Sequence, residues 1–218
     1  VNDDGFVNIL DLVIMVNWVL NGIPETTVTD IDGNVYDIIE IGSQIWMAEN
    51  LKVTNYSDGS AIQTSLDNDA WGNTTEGAYA VYPTDNDEAS QPTCGDDCAA
   101  VYGNLYNWYA IDDDRGICPD GFHVPSDDEY TILTDYLGGE SVAGGKMKET
   151  GLEHWDSPNT GATNESGFTS LPAGDRSHVN GNYTSMGTNG SFWSSSETGS
   201  TSAWYRKLYF DFSYVKRY

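Results

Sequence analysis

The residues with the most explicit chemistry stand at the start of the chain. Asn2-Asp3-Asp4-Gly5 followed by Phe6-Val7-Asn8-Ile9-Leu10-Asp11 has the spacing of a helix–loop–helix calcium loop from its third position onward. Calcium needs several hard oxygens on a tight loop, and Asn2, Asp4, the Phe6 backbone carbonyl, Asn8 and Asp11 supply them. The first-position ligand is missing, and Asp11 is one carbon shorter than the usual Glu. Asp30-Ile31-Asp32-Gly33 imitates the motif but puts Ile39 where a carboxylate is required, so it reads as a hairpin turn. Cys94 and Cys98 flank Gly95-Asp96-Asp97, a loop short enough to close as a local disulfide, which leaves Cys118 without an obvious partner. His123, His154 and His178 are 31 and 24 residues apart with no close Cys or His companion, so neither a zinc site nor a catalytic triad has sequence support. With 34 acidic residues, no chosen carboxylate pair is informative.

Recognition chemistry is concentrated near the other end. In the last alternating run Trp204, Arg206, Leu208, Phe210 and Phe212 fall on one face, which reads as core; Tyr205, Lys207, Tyr209, Asp211 and Ser213 fall on the other. Tyr205, Lys207, Tyr209, Asp211 and Tyr214 form the candidate ligand-binding surface: rings stack on apolar faces while carboxylate and ammonium groups take polar ones. Trp193 and Trp204 are expected in the core, and Glu197 beside Ser194, Ser195 and Ser196 is read as a loop cap or an ion ligand.

The elements that position these residues are short. Ile9 to Asn21 predicts a helix stopped by Asn21-Gly22 and Pro24; it is apolar almost all round and must be covered by its own domain, another chain or copies of itself. Thr27–Ile31 and Val35–Ile41 predict a hairpin about Asp32-Gly33-Asn34, and Gln44–Leu51 reads as a strand. Residues 63–98 form a polar excursion pinned by Trp71, Tyr79, Tyr82 and the small disulfide. Ser126-Asp127-Asp128-Glu129 is a capping box opening a helix to Leu137, with Tyr130, Leu133, Tyr136 and Leu137 on one face and Gly138-Gly139 closing it. Loop signals dominate beyond Val142. One helix among many short strands and long loops predicts an α+β fold.

Composition removes several function classes. Lys+Arg 9 against Asp+Glu 34 gives a formal charge of −25, which leaves no basic surface for nucleic acid. No run of apolar residues is long enough to span a membrane. Trp 7, Tyr 14 and Phe 6 favour an ordered, loop-rich domain over a polyelectrolyte. The acidic surface and cysteine usage predict an exported, extracellular or cell-surface protein. Val1 reads as the start of a fragment or of a processed chain.

The first loop and helix, residues 1–24, resemble one half of a type I dockerin repeat, which implies calcium as cofactor and a cohesin-like partner, or self-association, through the helix. Further on, Thr29-Asp30-Ile31-Asp32-Gly33-Asn34-Val35-Tyr36, Ile45-Trp46-Met47-Ala48-Glu49-Asn50-Leu51, Tyr102-Gly103-Asn104-Leu105-Tyr106-Asn107-Trp108 and Gly121-Phe122-His123-Val124-Pro125-Ser126 come in order. They are followed by Gly144-Gly145-Lys146-Met147, Asn164-Glu165-Ser166-Gly167-Phe168, Phe192-Trp193-Ser194-Ser195-Ser196-Glu197 and Ala203-Trp204-Tyr205-Arg206. Residues 27–218 thereby resemble the Fibrobacter succinogenes major paralogous domain family. The resemblance implies an exported bacterial surface domain of C-type-lectin-like fold, with short antiparallel strands, few helices and a loop-rich binding surface. It also implies a closing strand beyond Tyr218 bearing a cysteine mate for Cys118, absent here. Gly121 to Tyr130 is similar to a segment of formylglycine-generating enzymes, but those depend on late cysteines and none follows Cys118. The expectation is a non-enzymatic recognition or adhesion module for a glycan or protein ligand; the alternative is a structural subunit of a surface layer or fibre, assembling through the apolar helix and the C-terminal edge.

Overall fold

The computed structural model describes residues 26–83, 94, 97–199 and 201–218. The calcium-loop residues Asn2, Asp4, Phe6, Asn8 and Asp11 and the helix after them lie outside the described residues. The fold is α+β, built on three antiparallel or mixed sheets. β1 (Thr27–Thr29), β2 (Val35–Ile41) and β3 (Gln44–Met47) form the first. Its β1–β2 turn is the hairpin expected from Asp32-Gly33-Asn34. The Asp30 carboxylate fixes it by accepting from the Asp32 and Asn34 amides at 3.0 and 2.9 Å and from the Tyr36 hydroxyl at 2.6 Å. The aspartate that imitates a calcium ligand is thus spent on backbone N–H groups, as turn-forming Asp commonly is.

β4 (Tyr79–Ala80) and β5 (Leu105–Tyr106) make a two-stranded ribbon. The main sheet has the order β10-β9-β8-β6-β7, from β6 (Ala173–Arg176), β7 (Tyr183–Met186), β8 (Asn189–Gly199), β9 (Ser202–Tyr209) and β10 (Val215–Arg217). β6 and β8 run parallel; the other pairs are antiparallel.

Helices are more numerous than the sequence suggested: α1 (Asn68–Asn73), α2 (Cys98–Tyr102), α3 (Trp108–Ile111), α4 (Asp127–Tyr136) and α5 (Glu140–Met147). α4 starts at the expected capping box, with Ser126 Oγ accepting from the Glu129 amide and Glu129 Oε2 accepting from the Ser126 amide. Tyr130, Leu133 and Leu137 are buried as predicted, whereas Tyr136 is 65% exposed because it falls past the edge of the apolar stripe. α5 runs through the start of the segment beyond Val142 that gives loop signals. Gly144 and Gly145 weaken its intrinsic propensity, yet packing requires them: a Cβ at Gly144 would fall on the Tyr214 carbonyl, and one at Gly145 on the Gly161 carbonyl. The largest core lies between α4, α5 and the sheets and contains Ile41, Trp46, Leu133, Met147, Trp155 and Leu208.

In the described part of the excursion Trp71 and Tyr82 are buried, Tyr79 is only half-buried, and Cys94 and Cys98 form a disulfide whose Cα atoms are 4.8 Å apart. Cys118 is free, and burial pushes its thiol up to about 11.

Candidate functional site

The face alternation of the last strand holds as far as Tyr209 and then fails. Arg206 and Leu208 are buried on one side of β9, while Tyr205, Lys207 and Tyr209 stand half-exposed on the other. The strand ends at Tyr209. Phe212 therefore leaves the predicted core face and is 43% exposed. Asp211 is exposed on the β9–β10 turn rather than in line with Lys207. Tyr214 also lies on this turn, but it returns to the surface: its ring is 6.0 Å from that of Tyr209 and stacks at 4.6 Å on Phe212. The candidate set is thus three strand residues plus Tyr214, with Asp211 apart.

Registry adds residues that the sequence did not single out. Trp193 on β8 is the direct partner of Tyr205, Ser191 that of Lys207, and Lys216 on β10 flanks Lys207 from the other side. Cross-strand partners share a face, so Trp193 stands with Tyr205 and not in the core as expected; Trp204 is also only half-buried, under the Arg217 guanidinium at 3.4 Å. Tyr218 exchanges both backbone hydrogen bonds with Tyr205, each 3.1 Å, and so sets its ring beside it. The result is a row of rings: Trp108 to Trp193 at 5.9 Å, Trp193 to Tyr205 at 5.9 Å and Tyr205 to Tyr218 at 5.2 Å. The signal for Tyr218 was available in the period-two spacing of Tyr214, Lys216 and Tyr218; that for Trp108 was not, because α3 arrives from a distant part of the chain.

Polar groups line the same face. Lys207 Nζ reaches over β8 to Asp175 on β6 at 2.7 Å, and the small Ser191 beneath it leaves room for that reach. Tyr209 and Tyr218 hydroxyls are 2.5 Å apart. The Lys216 ammonium holds the Tyr218 hydroxyl below the usual tyrosine range, while burial and Tyr218 raise that of Tyr209. The indole of Trp193 is fixed by its N–H to the Tyr106 carbonyl at 2.9 Å. Of these groups Lys207, Asp175 and Trp193 border a cleft of about 1320 Å³ that is also lined by Trp108, Tyr205 and His178, whereas Tyr209, Lys216 and Tyr218 lie outside it. It is larger than most small-molecule pockets and suits an extended ligand.

The other side of the sheet is a structural clamp. Arg206, almost fully buried, meets Asp127 at 2.6 Å, and Arg217 meets the same carboxylate oxygen at 2.8 Å. These guanidinium groups hold the Asp127 carboxyl below its usual range, Arg217 contributing most. Ser196 Oγ accepts from the Asp127 amide at 2.9 Å, so the serine run ties β8 to the start of α4, while Glu197 is exposed. His123 pairs with Glu129 and His154 with Glu149, each at 2.9 Å, and His178 is exposed.

Among the described residues no helix is long and apolar enough to cross a membrane. No curated protein and no solved structure matches the chain. The model of the Fibrobacter succinogenes major domain matches residues 39–218, and the chain belongs to that family.

Proposed function

We propose that this protein is a non-enzymatic recognition module of the cell surface or extracellular space that binds a glycan along the aromatic face of its main sheet. The observation that carries the reading is the row of half-exposed rings Trp193, Tyr205 and Tyr218, backed by the buried Trp108, with Trp193 and Tyr205 bordering the cleft. Aromatic rings take the apolar faces of sugar units, and the neighbouring Asp175, Lys207 and Tyr209 offer the hydroxyl-directed hydrogen bonds that fix orientation. Short strands, few helices and long loops support a C-type-lectin-like arrangement. The Cys94–Cys98 disulfide and the charge of −25 support an oxidising, exported setting. Calcium as cofactor, held by Asn2, Asp4, the Phe6 carbonyl, Asn8 and Asp11, rests on spacing alone and belongs to the N-terminal appendage rather than to this face.

The test is a glycan array probed with the full chain in calcium and then in chelator, beside Tyr205→Ala/Tyr209→Ala and Trp193→Ala variants checked for folding by near-ultraviolet circular dichroism. The reading predicts specific binding that both variants lose and the chelator spares. A silent array with folded wild-type protein refutes the glycan reading and favours a protein ligand or self-assembly.

A further inference from the structure

The geometry points to a second site, distant in the sequence from the calcium-like loop: Glu149, Glu153 and His154 form a seat for one divalent transition ion, Zn²⁺ being the type, closed by the Tyr102 hydroxyl. One ligand atom from each of the three side chains lies within 4.8 Å of the others. His154 Nδ1 is 2.9 Å from both oxygens of Glu149. Ligands bound about 2.0–2.2 Å from a tetrahedral ion stand about 3.3–3.6 Å apart, so this separation is that of an ion pair and opens by about half an ångström when an ion enters. A salt bridge, however, accounts for neither Glu153 nor Tyr102.

Tyr102 is the independent observation. It is 2% exposed, and its hydroxyl is buried without a hydrogen-bond partner. Buried hydroxyls are rarely left so. Its ring meets the His154 ring edge-on at 5.5 Å, and the carboxylates acting on the hydroxyl are Glu149, Asp156 and Glu153. An ion among these residues, keeping a water as its open ligand, gives the hydroxyl the partner it lacks. The frame is already rigid. Lys148 and Trp155 on either side are fully buried, the Trp155 indole N–H bonds the Ser170 carbonyl at 2.9 Å, and the Glu149 backbone is held by Ser170 and Asn159. One imidazole nitrogen with two carboxylates selects a zinc-like ion over calcium, which needs six or more oxygens.

Zn²⁺ titration of the full chain by calorimetry, with calcium in excess to occupy the acidic surface, tests the site. Co²⁺ absorption in the visible range reports an ordered ligand shell. Expected are a single saturable Zn²⁺ site and a loss of affinity of about 10-fold or more in His154→Gln and in Glu153→Gln; Glu153 is exposed, so the latter variant keeps its fold. Tyr102→Phe weakens binding by a smaller factor. Absence of a saturable site, or equal affinity in the wild type, Glu153→Gln and His154→Gln, overturns the proposal and leaves His154–Glu149 as a plain ion pair; unchanged affinity in Tyr102→Phe removes the hydroxyl from the site.

Discussion

Replacing Asp127 by Asn tests the clamp that holds the binding face in place. The carboxylate meets Arg206 at 2.6 Å and Arg217 at 2.8 Å, and the Arg206 side chain is only 1% exposed. Removing one partner of a buried ion pair costs about 3–5 kcal/mol, because the other charge stays buried and unpaired. Asparagine keeps one acceptor oxygen, and the Asp127 site is 16% exposed, so water relieves part of the loss. The expected cost is about 2–3 kcal/mol, a large share of an ordinary domain's stability. In a chain of this length that is a fall in Tm of roughly 4–12 °C. Urea unfolding at neutral pH measures it. The wild type supplies an internal check: a carboxyl held low in the folded state contributes stability that is complete above the unfolded value of about 3.9 and is lost as pH falls through the folded value. The wild type therefore loses stability below about pH 4 more steeply than Asp127→Asn. A variant within about 0.5 kcal/mol of the wild type at neutral pH, or one with the same acid slope, would refute the reasoning. Because Arg206 and Arg217 directly follow Tyr205 and precede Tyr218, the same variant should also weaken ligand binding by loosening the end of the aromatic row.

Other consequences follow from the packing. Lys148 Nζ donates to the carbonyls of Thr160, Tyr209 and Phe212 at 3.0, 2.9 and 2.9 Å; Lys148→Met leaves these acceptors unpaired and should cost about 2–4 kcal/mol in urea unfolding. Gly145→Ala should destabilise although alanine is the better helix former, since its Cβ meets the Gly161 carbonyl; a raised Tm would show that α5 can shift away. The Cys118 thiol, pushed up to about 11 by burial, should resist alkylation in the folded chain at neutral pH and react promptly in denaturant. Cys118 is half-buried and lines the cleft, so fast alkylation of folded protein at neutral pH would contradict the raised thiol rather than its exposure.

Local signals were legible where one short segment carries its own instruction. The Ser126/Glu129 capping box, the Asp32-Gly33 hairpin and the alternation of β9 each depend on neighbours a few residues away. α5 was not legible, because its glycines argue against a helix and only the close approach of residues 161 and 214 explains them. Trp193 was misplaced for a related reason: alternation says which residues share a face but not which face turns to the core, and that is fixed by what packs on each side. The same limit hid the Glu149, Glu153 and His154 cluster, since spacing rules for metals look for histidine and cysteine pairs.

The sequence by itself determined the α+β composition, the acidic surface, the local disulfide and the presence of an aromatic strand near the C-terminal end. These depend on composition and on interactions within a few residues. Only the tertiary structure decided which rings form one row, because Trp108, Trp193, Tyr205 and Tyr218 come from separate elements and are brought together by registry in the sheet and by α3 packing over it. Strand registry and helix docking are settled by the burial of whole faces, a property of the assembled chain that no single segment encodes.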